Sequence, residues 1–141
     1  MQNARTENGD HTDVGMIGFQ WTGAGLCATD VAYAIWTCPQ FGVLDKEKEL
    51  VLYYHDQLIE ALLETFPGDD VRSWLPLDQF LEEYQTCFLD LSRCIIADQW
   101  KTMTLSTIRE RKGKMVYNAY NKDQDIAKLL LTRVMQCLDK M

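Results

Sequence analysis

The segment from Val14 to Trp36, VGMIGFQWTGAGLCATDVAYAIW, changes its apolar pattern part-way along, and this change limits the folds open to the chain. Residues 14–21 are rich in Val, Ile, Phe and Trp and run into a glycine-bearing loop, which predicts a buried strand. From Ala28 the apolar residues recur at the spacing of one helical face. The sequence therefore predicts a strand, a tight loop and a short apolar helix, an arrangement that often carries a polar group at the end of the strand.

The same segment resembles the pattern of a known family. IGFQWTGAGLCATDVAY is similar to (V/I)-I-D-F-Q-W-x-x-x-G-x-x-x-x-D-(L/V)-A-Y of the CHK kinase-like, or ecdysteroid kinase-like, small-molecule kinases. These kinases are relatives of choline kinase and the aminoglycoside phosphotransferases within the protein-kinase-like fold. The matching positions are Phe19, Gln20, Trp21, Gly25, Asp30, Ala32 and Tyr33. The family has an aspartate where this chain has Gly18, directly before the Phe-Gln pair.

The resemblance implies a metal site at which this chain departs from the family. The family aspartate holds the magnesium ions that bridge the nucleotide phosphates, whereas Gly18 offers no side-chain ligand. An upstream His-Gly-Asp-x-x-x-x-Asn motif supplies a second ligand, and its asparagine corresponds to Asn3 if the chain starts within that motif. Asn3 is otherwise a polar N-terminal residue without a ligand. We expect the catalytic aspartate and the nucleotide-binding lobe to lie before Met1.

The resemblance also implies an acceptor pocket walled by Phe19, Gln20 and Trp21. Aromatic residues on later helices are further candidates, although helical aromatics at core spacing more often pack than bind a ligand. These candidates are Trp36, Tyr54, Tyr84, Trp100 and Tyr117. Thr29 or Asp30 is expected to cap the following helix. By the resemblance, Asp30 is instead the buried helix-start aspartate that holds the catalytic-loop backbone, which is a supporting role in either case.

The rest of the chain is predicted to be mainly α-helical, after a small N-terminal β-hairpin in which residues 4–7 pair across the Asn8-Gly9 turn. Helical periodicity predicts long helices over 46–66, 78–100 and 123–140. The piece LYYHDQL within the first of these resembles a "YhdaL" helix of the same family, and His55 there is expected to be partly exposed. Residues 1–141 are thus expected to form a single domain, the C-terminal lobe of a protein-kinase-like fold.

The apolar faces of these helices follow from the same spacing. The helix over 46–66 is expected to bury Leu50 or Val51, Tyr54, Leu58, Ala61 or Leu62, and Thr65. The helix over 78–100 is expected to bury Leu81, Tyr84, Phe88, Leu91 and Ile95, and the last helix Ile126, Leu130, Val134 and Cys137 or Leu138. The stripe over 78–100 is too wide for a coiled-coil seam, which favours a core helix of a bundle.

Composition excludes several classes of function. A net charge of −7 without a basic stripe argues against a nucleic-acid interface. No apolar run approaches the ~18 residues of a membrane span, so we expect a cytoplasmic chain without membrane contact. The five cysteines are irregularly spaced and lack a C-x-x-C pair, which favours free thiols over a disulfide framework or a zinc site.

Two hypotheses of function follow. The first is an ATP-dependent phosphotransferase that acts on a hydroxyl group of a small molecule, with ATP and Mg²⁺ as the cofactors that the resemblance implies. The second is a non-catalytic helical module for binding or regulation. Phosphotransferases bind nucleotide mainly through a Gly-rich loop, a lysine and metal-bound carboxylates, none of which this sequence contains in recognisable form, so the chain alone is expected to bind neither ATP nor Mg²⁺ with useful affinity.

Overall fold

A computed structural model describes residues 25–37, 41–101, 104, 106–107, 110 and 119–139. Its regular elements within these ranges are α1 (Cys27–Thr37), α2 (Phe41–Leu44), α3 (Glu47–Thr65), α4 (Val71–Trp74), α5 (Leu77–Cys94), a π-helical turn (Ile95–Gln99), α6 (Ala119–Lys122) and α7 (Gln124–Leu138). The prediction of a mainly α-helical chain is confirmed. The predicted hairpin and the strand over residues 14–21 lie outside the described residues.

The packing of α1 on α5 forms the centre of the described structure. α1 buries the face made by Ala28, Val31, Ala32, Ile35 and Trp36. Its last turn sets the Trp36 ring against Phe88 of α5, with ring centroids 4.8 Å apart. α7 packs on α5, and α3 contacts α1, so one apolar core is shared among the long helices.

α5 follows its predicted stripe closely. Tyr84, Phe88 and Leu91 are buried, as is Ile95 just beyond the helix, while Leu81 is partly buried. The additional buried side chains Phe80 and Cys87 widen the stripe, which is the pattern of a bundle helix covered by more than one neighbour. After Cys94 the backbone changes to π-helical geometry, and the N–H of Trp100 donates to the carbonyl of Ile95 at 2.9 Å.

The buried face of α3 differs from the prediction. Its buried residues are Val51, His55 and Ile59, whereas Ala61 and Thr65 are exposed. Leu50, Tyr54, Leu58 and Leu62 are partly buried along its side. The buried face differs because α4 packs against α3 and covers residues of α3 that its periodicity alone does not mark as buried.

The expectation that His55 is partly exposed was wrong. His55 is 5% exposed, and its ring lies against Phe80 with centroids 5.1 Å apart. Its Nε2 lies 3.0 Å from the carbonyl oxygen of Leu75, at the end of α4. This contact satisfies one ring nitrogen and ties α3 to the chain that enters α5.

The helix ends show where capping chemistry predicts structure and where it does not. Asp123, which was predicted as the first residue of the last helix, is its N-cap, since its Oδ1 accepts from the N–H of Asp125 at 2.9 Å. The expected cap of α1 at Thr29 or Asp30 was wrong, because α1 begins at Cys27 and both residues lie inside its first turn. Beyond α3, Gly68 has φ of +99°, a left-handed conformation that glycine adopts without steric cost.

The substitution Leu91→Ala is predicted to destabilise the chain by ~2–5 kcal/mol, because it removes a buried side chain and leaves a cavity. Leu91 is 2% exposed in the last turn of α5. Urea unfolding followed by circular dichroism measures the change. Leu131→Ala on the exposed side of α7 is the matched control and is expected to shift the midpoint much less. Equal midpoints for the two variants would show that this face of α5 is not part of the core.

Candidate functional site

Most residues that the sequence singled out for chemistry lie outside the described ranges. These are Asn3, Gly18, Phe19, Gln20, Trp21 and Tyr117. Asp30 is described, and it is an exposed residue in the first turn of α1. That exposure does not match the buried helix-start aspartate that the resemblance implied.

The aromatic candidates on later helices that the structure describes have packing or hydrogen-bonding roles. Trp36 and Tyr84 are buried. Tyr54 stacks near Phe80 with centroids 6.0 Å apart, and its hydroxyl donates to the carbonyl oxygen of Cys27 at 3.4 Å. Trp100 donates from Nε1 to Oδ1 of Asn121 at 2.9 Å. The general preference of helical aromatics for packing therefore describes these residues well.

A buried polar cluster joins α1, α3, α5 and α7 around one carboxylate. The Glu47 cluster, as we name it, consists of Trp36, Glu47, Tyr84 and Arg133. Oε1 of Glu47 accepts from the Tyr84 hydroxyl at 2.8 Å and from Nε1 of Trp36 at 3.4 Å. Nε of Arg133 donates to Oε2 at 3.2 Å. The carboxylate is thus surrounded by donors from three other helices.

The surroundings of the Glu47 cluster keep the Tyr84 hydroxyl protonated. The side chains of Glu47 and Arg133 are only 16% and 23% exposed, so the ion pair is shielded from solvent. Burial first, and then the neighbouring Glu47 carboxylate, raise the pKa of the Tyr84 hydroxyl. Tyr84 therefore stays protonated at neutral pH and acts as a donor to Glu47. The Arg133 guanidinium also lies 6.0 Å from the centroid of the Phe88 ring.

Sequence reasoning missed this cluster because its charged partners are 86 positions apart. Glu47 looks like an ordinary acidic residue in the first turn of a helix, and Arg133 like a solvated residue near the end of another. One signal was present. Trp36 and Tyr84 occupy core positions, and a buried indole N–H or phenol needs a polar partner. That partner had to come from another helix, which local spacing cannot identify.

Two concave surfaces adjoin these helices. A cavity of about 290 Å³ beside the Glu47 cluster is lined by Glu47, Lys48, Val51, Leu81, Tyr84, Gln85 and Arg133. A groove of about 430 Å³ between α1 and α3 is lined by Val31, Ala34, Ile35, Val43, Leu50, Tyr53, Tyr54 and Gln57. The cavity is bordered by charged side chains and the groove mainly by apolar ones, so the two surfaces suit different ligands.

The residues at the implied metal positions do not fit magnesium. Mg²⁺ in such sites relies on carboxylate oxygens together with nucleotide phosphates, and Gly18 supplies no side-chain oxygen. Within the described ranges, no group of three or more His, Cys, Asp or Glu side chains could hold a metal ion. No helix in the same ranges is long and apolar enough to cross a bilayer. The described cysteines Cys27, Cys87, Cys94 and Cys137 are free thiols.

Comparison with known proteins neither supports nor opposes the resemblance to the CHK kinase-like family. No protein-family model, curated protein or solved structure matches the chain. The resemblance to the CHK kinase-like family therefore stays a prediction from the residues between Phe19 and Tyr33 and those around His55.

The raised pKa of Tyr84 predicts a loss of stability in alkaline solution. The folded state disfavours the phenolate, so its contribution is complete below the ordinary pKa of 10.0 and declines as the pH rises above that value. The free energy of unfolding, measured by urea titration between neutral pH and pH above ten, is expected to fall. Tyr84→Phe is expected to cost roughly 1.5–3 kcal/mol at neutral pH, through the lost bond to a charged group, and to flatten the alkaline decline.

Tyr53→Phe is the matched control for this experiment, because Tyr53 is an exposed residue of α3. The control is expected to retain both the stability and the alkaline decline of the parent chain. An alkaline decline that is unchanged in Tyr84→Phe would assign the effect to other groups.

Proposed function

We propose that the chain is the helical lobe of a kinase-like small-molecule phosphotransferase, with its metal position altered at Gly18. The observation that carries the proposal is the match of Phe19, Gln20, Trp21 and the residues up to Tyr33 to the family pattern. In that family the reaction transfers the terminal phosphoryl group of ATP to a hydroxyl group of a small acceptor.

The part of the pattern within the described ranges supports this proposal through packing. Gly25 is an exposed residue just before α1, consistent with a loop that leads into a helix. Ala32 is 0% exposed where α1 approaches α5, a position at which a larger side chain would separate the helices. The close packing of α1 on α5 therefore gives a physical reason for a small residue at Ala32, as in the family pattern.

The proposed roles follow from side-chain chemistry. Phe19, Gln20 and Trp21 would form a wall of the acceptor pocket, with the Gln20 amide able to donate to or accept from a hydroxyl group. Gly18 leaves the nucleotide phosphates without their usual metal-bound carboxylate. We therefore propose that acceptor binding is retained and that phosphoryl transfer is slow in the chain with Gly18.

A second candidate function is a non-catalytic binding module, and the groove between α1 and α3 favours it. The groove is large enough for a small organic molecule and almost entirely apolar. Tyr53 and Val43 remain exposed at its border. In this alternative the helices keep a ligand-binding surface, and the replacement at Gly18 has no catalytic consequence.

The substitution Gly18→Asp tests the first function. In the chain joined to the nucleotide-binding lobe of a family member, we expect it to confer magnesium-dependent binding of ATP and phosphoryl transfer to a panel of small hydroxyl compounds that is faster by orders of magnitude, because it restores a carboxylate ligand. Calorimetry with ATP, with and without Mg²⁺, and release of ADP measure the two effects in this completed protein, with Gly18 and with Asp at position 18. Ala61→Asp, which adds the same charge on the exposed side of α3, is the control and is expected to change neither.

Equal ATP binding and equal rates for the parent chain and the Gly18→Asp variant would contradict the alignment of Gly18 with the metal-binding aspartate. A different carboxylate, for instance Asp13, would then have to supply the metal ligand.

The substitution Ala34→Trp tests the second function, because Ala34 is an exposed residue of α1 that lines the groove. Filling the groove is expected to abolish the fluorescence enhancement of N-phenyl-1-naphthylamine, an apolar probe. Ala61→Trp lies outside the groove lining and is expected to leave the enhancement intact. The same enhancement in both variants would show that the probe does not occupy the groove.

A further inference from the structure

The cavity beside the Glu47 cluster is lined by hydrogen-bond donors that have no acceptor among the described residues. Within the described ranges, neither Nη atom of Arg133 donates a hydrogen bond, although Nε is bound to Glu47. The Lys48 ammonium forms no ion pair and the Gln85 amide no hydrogen bond with a described residue. All three side chains line the same cavity of about 290 Å³.

We propose that this cavity binds a small oxyanion joined to an apolar body, that is, a carboxylate or a phosphate monoester of a small organic molecule. A guanidinium presents its N–H groups in a planar fork that matches the oxygens of either head group. Because Nε of Arg133 is fixed by Glu47, the plane of the fork is set before a ligand arrives. Less side-chain freedom is then lost on binding.

The charge of the lining favours an anion. Glu47 carries one negative charge, while Arg133 and Lys48 each carry a positive charge, so the lining is positive by one unit. The chain as a whole has a net charge of −7, which makes a locally positive cavity a departure from its surroundings. The Glu47 oxygens accept bonds from Trp36, Tyr84 and Arg133. Those donors offset the repulsion that Glu47 would exert on a bound anion.

The remaining walls specify the other half of the ligand. Val51 of α3 is buried and Leu81 of α5 is partly buried, and both line the cavity. They offer an apolar surface opposite the donor groups, which is the usual composition of a small-molecule site. A free inorganic ion would leave this surface uncovered, so the geometry points to an anion with an attached apolar group.

Phenyl phosphate and benzoate are suitable probes, with benzyl alcohol as the uncharged comparison. The indole N–H of Trp36 is the reporter in ¹H–¹⁵N NMR titrations, since it contacts both Glu47 and Tyr84 at the cavity wall. We expect a saturable shift with at least one anion and a much weaker response to benzyl alcohol. The tighter of the two anions identifies the preferred head group.

Matched variants of the full chain test the residues. Lys48→Gln is expected to raise the Kd of the anion roughly two- to fivefold, while Lys101→Gln, the same change at an exposed lysine elsewhere, leaves it unchanged. Gln85→Glu places a negative charge in the cavity, which repels the anion, and is expected to raise the Kd of the anion by about fivefold or more. Gln124→Glu, at the start of α7, is its control and is expected to have no effect.

Three results would overturn the proposal. One is the lack of a saturable shift with both anions. Another is binding of benzyl alcohol as tight as that of the anions, which would show recognition of the apolar body alone. The third is an equal Kd in each variant and its control. These variants change solvent-accessible side chains outside the Glu47–Arg133 pair, so circular dichroism is expected to show the same fold in all of them.

Discussion

The described structure depends on the hydrogen bonds that converge on the carboxylate of Glu47. α1 ends with Trp36 in the core, and a buried indole N–H is stable there only with an acceptor. Tyr84 brings a hydroxyl into the same place, and Glu47 serves both groups. Arg133 then balances the charge that Glu47 introduces.

Such a cluster determines how the helices are arranged more than it adds to the free energy of unfolding. Removing two charges from water costs several kcal/mol per ion, and their attraction only partly offsets this cost. Removing one partner is more damaging, because the other charge is left buried and unpaired. The Glu47 cluster therefore disfavours packings in which α7 shifts along α5, since a shift would separate Arg133 from Glu47. The apolar contacts between α1 and α5 tolerate such sliding more readily, because they are not directional.

Helical periodicity predicted the long helices because each buries apolar residues that recur at helical spacing. The stripe of α5 and the Asp123 cap of α7 are local features that local patterns express. The face of α3 and the burial of His55 are not local, since they depend on how α4 folds back onto α3. A histidine in a helix looks like a surface residue until another segment supplies its acceptor and its aromatic neighbour.

The candidate sites likewise differ in whether local sequence indicates them. The pattern from Phe19 to Tyr33 is contiguous, so it is visible in the sequence, whereas the cavity beside Glu47 is assembled from α3, α5 and α7 and has no sequence signature.

The proposed anion cavity is lined by α3, α5 and α7, and Trp36 near the end of α1 donates to Glu47 at its wall. Asp30, Ala32 and Tyr33 of the family pattern lie earlier in α1. An anion that attracts Arg133 competes with Glu47 for that guanidinium, and Glu47 also holds the Trp36 indole. Occupancy of the cavity would thus act on the last turn of the helix whose first turn carries Asp30. The hydrogen bond from Trp36 to Glu47 therefore links the proposed anion cavity to the helix that carries Asp30 and Ala32, a directional contact that the apolar core alone does not provide.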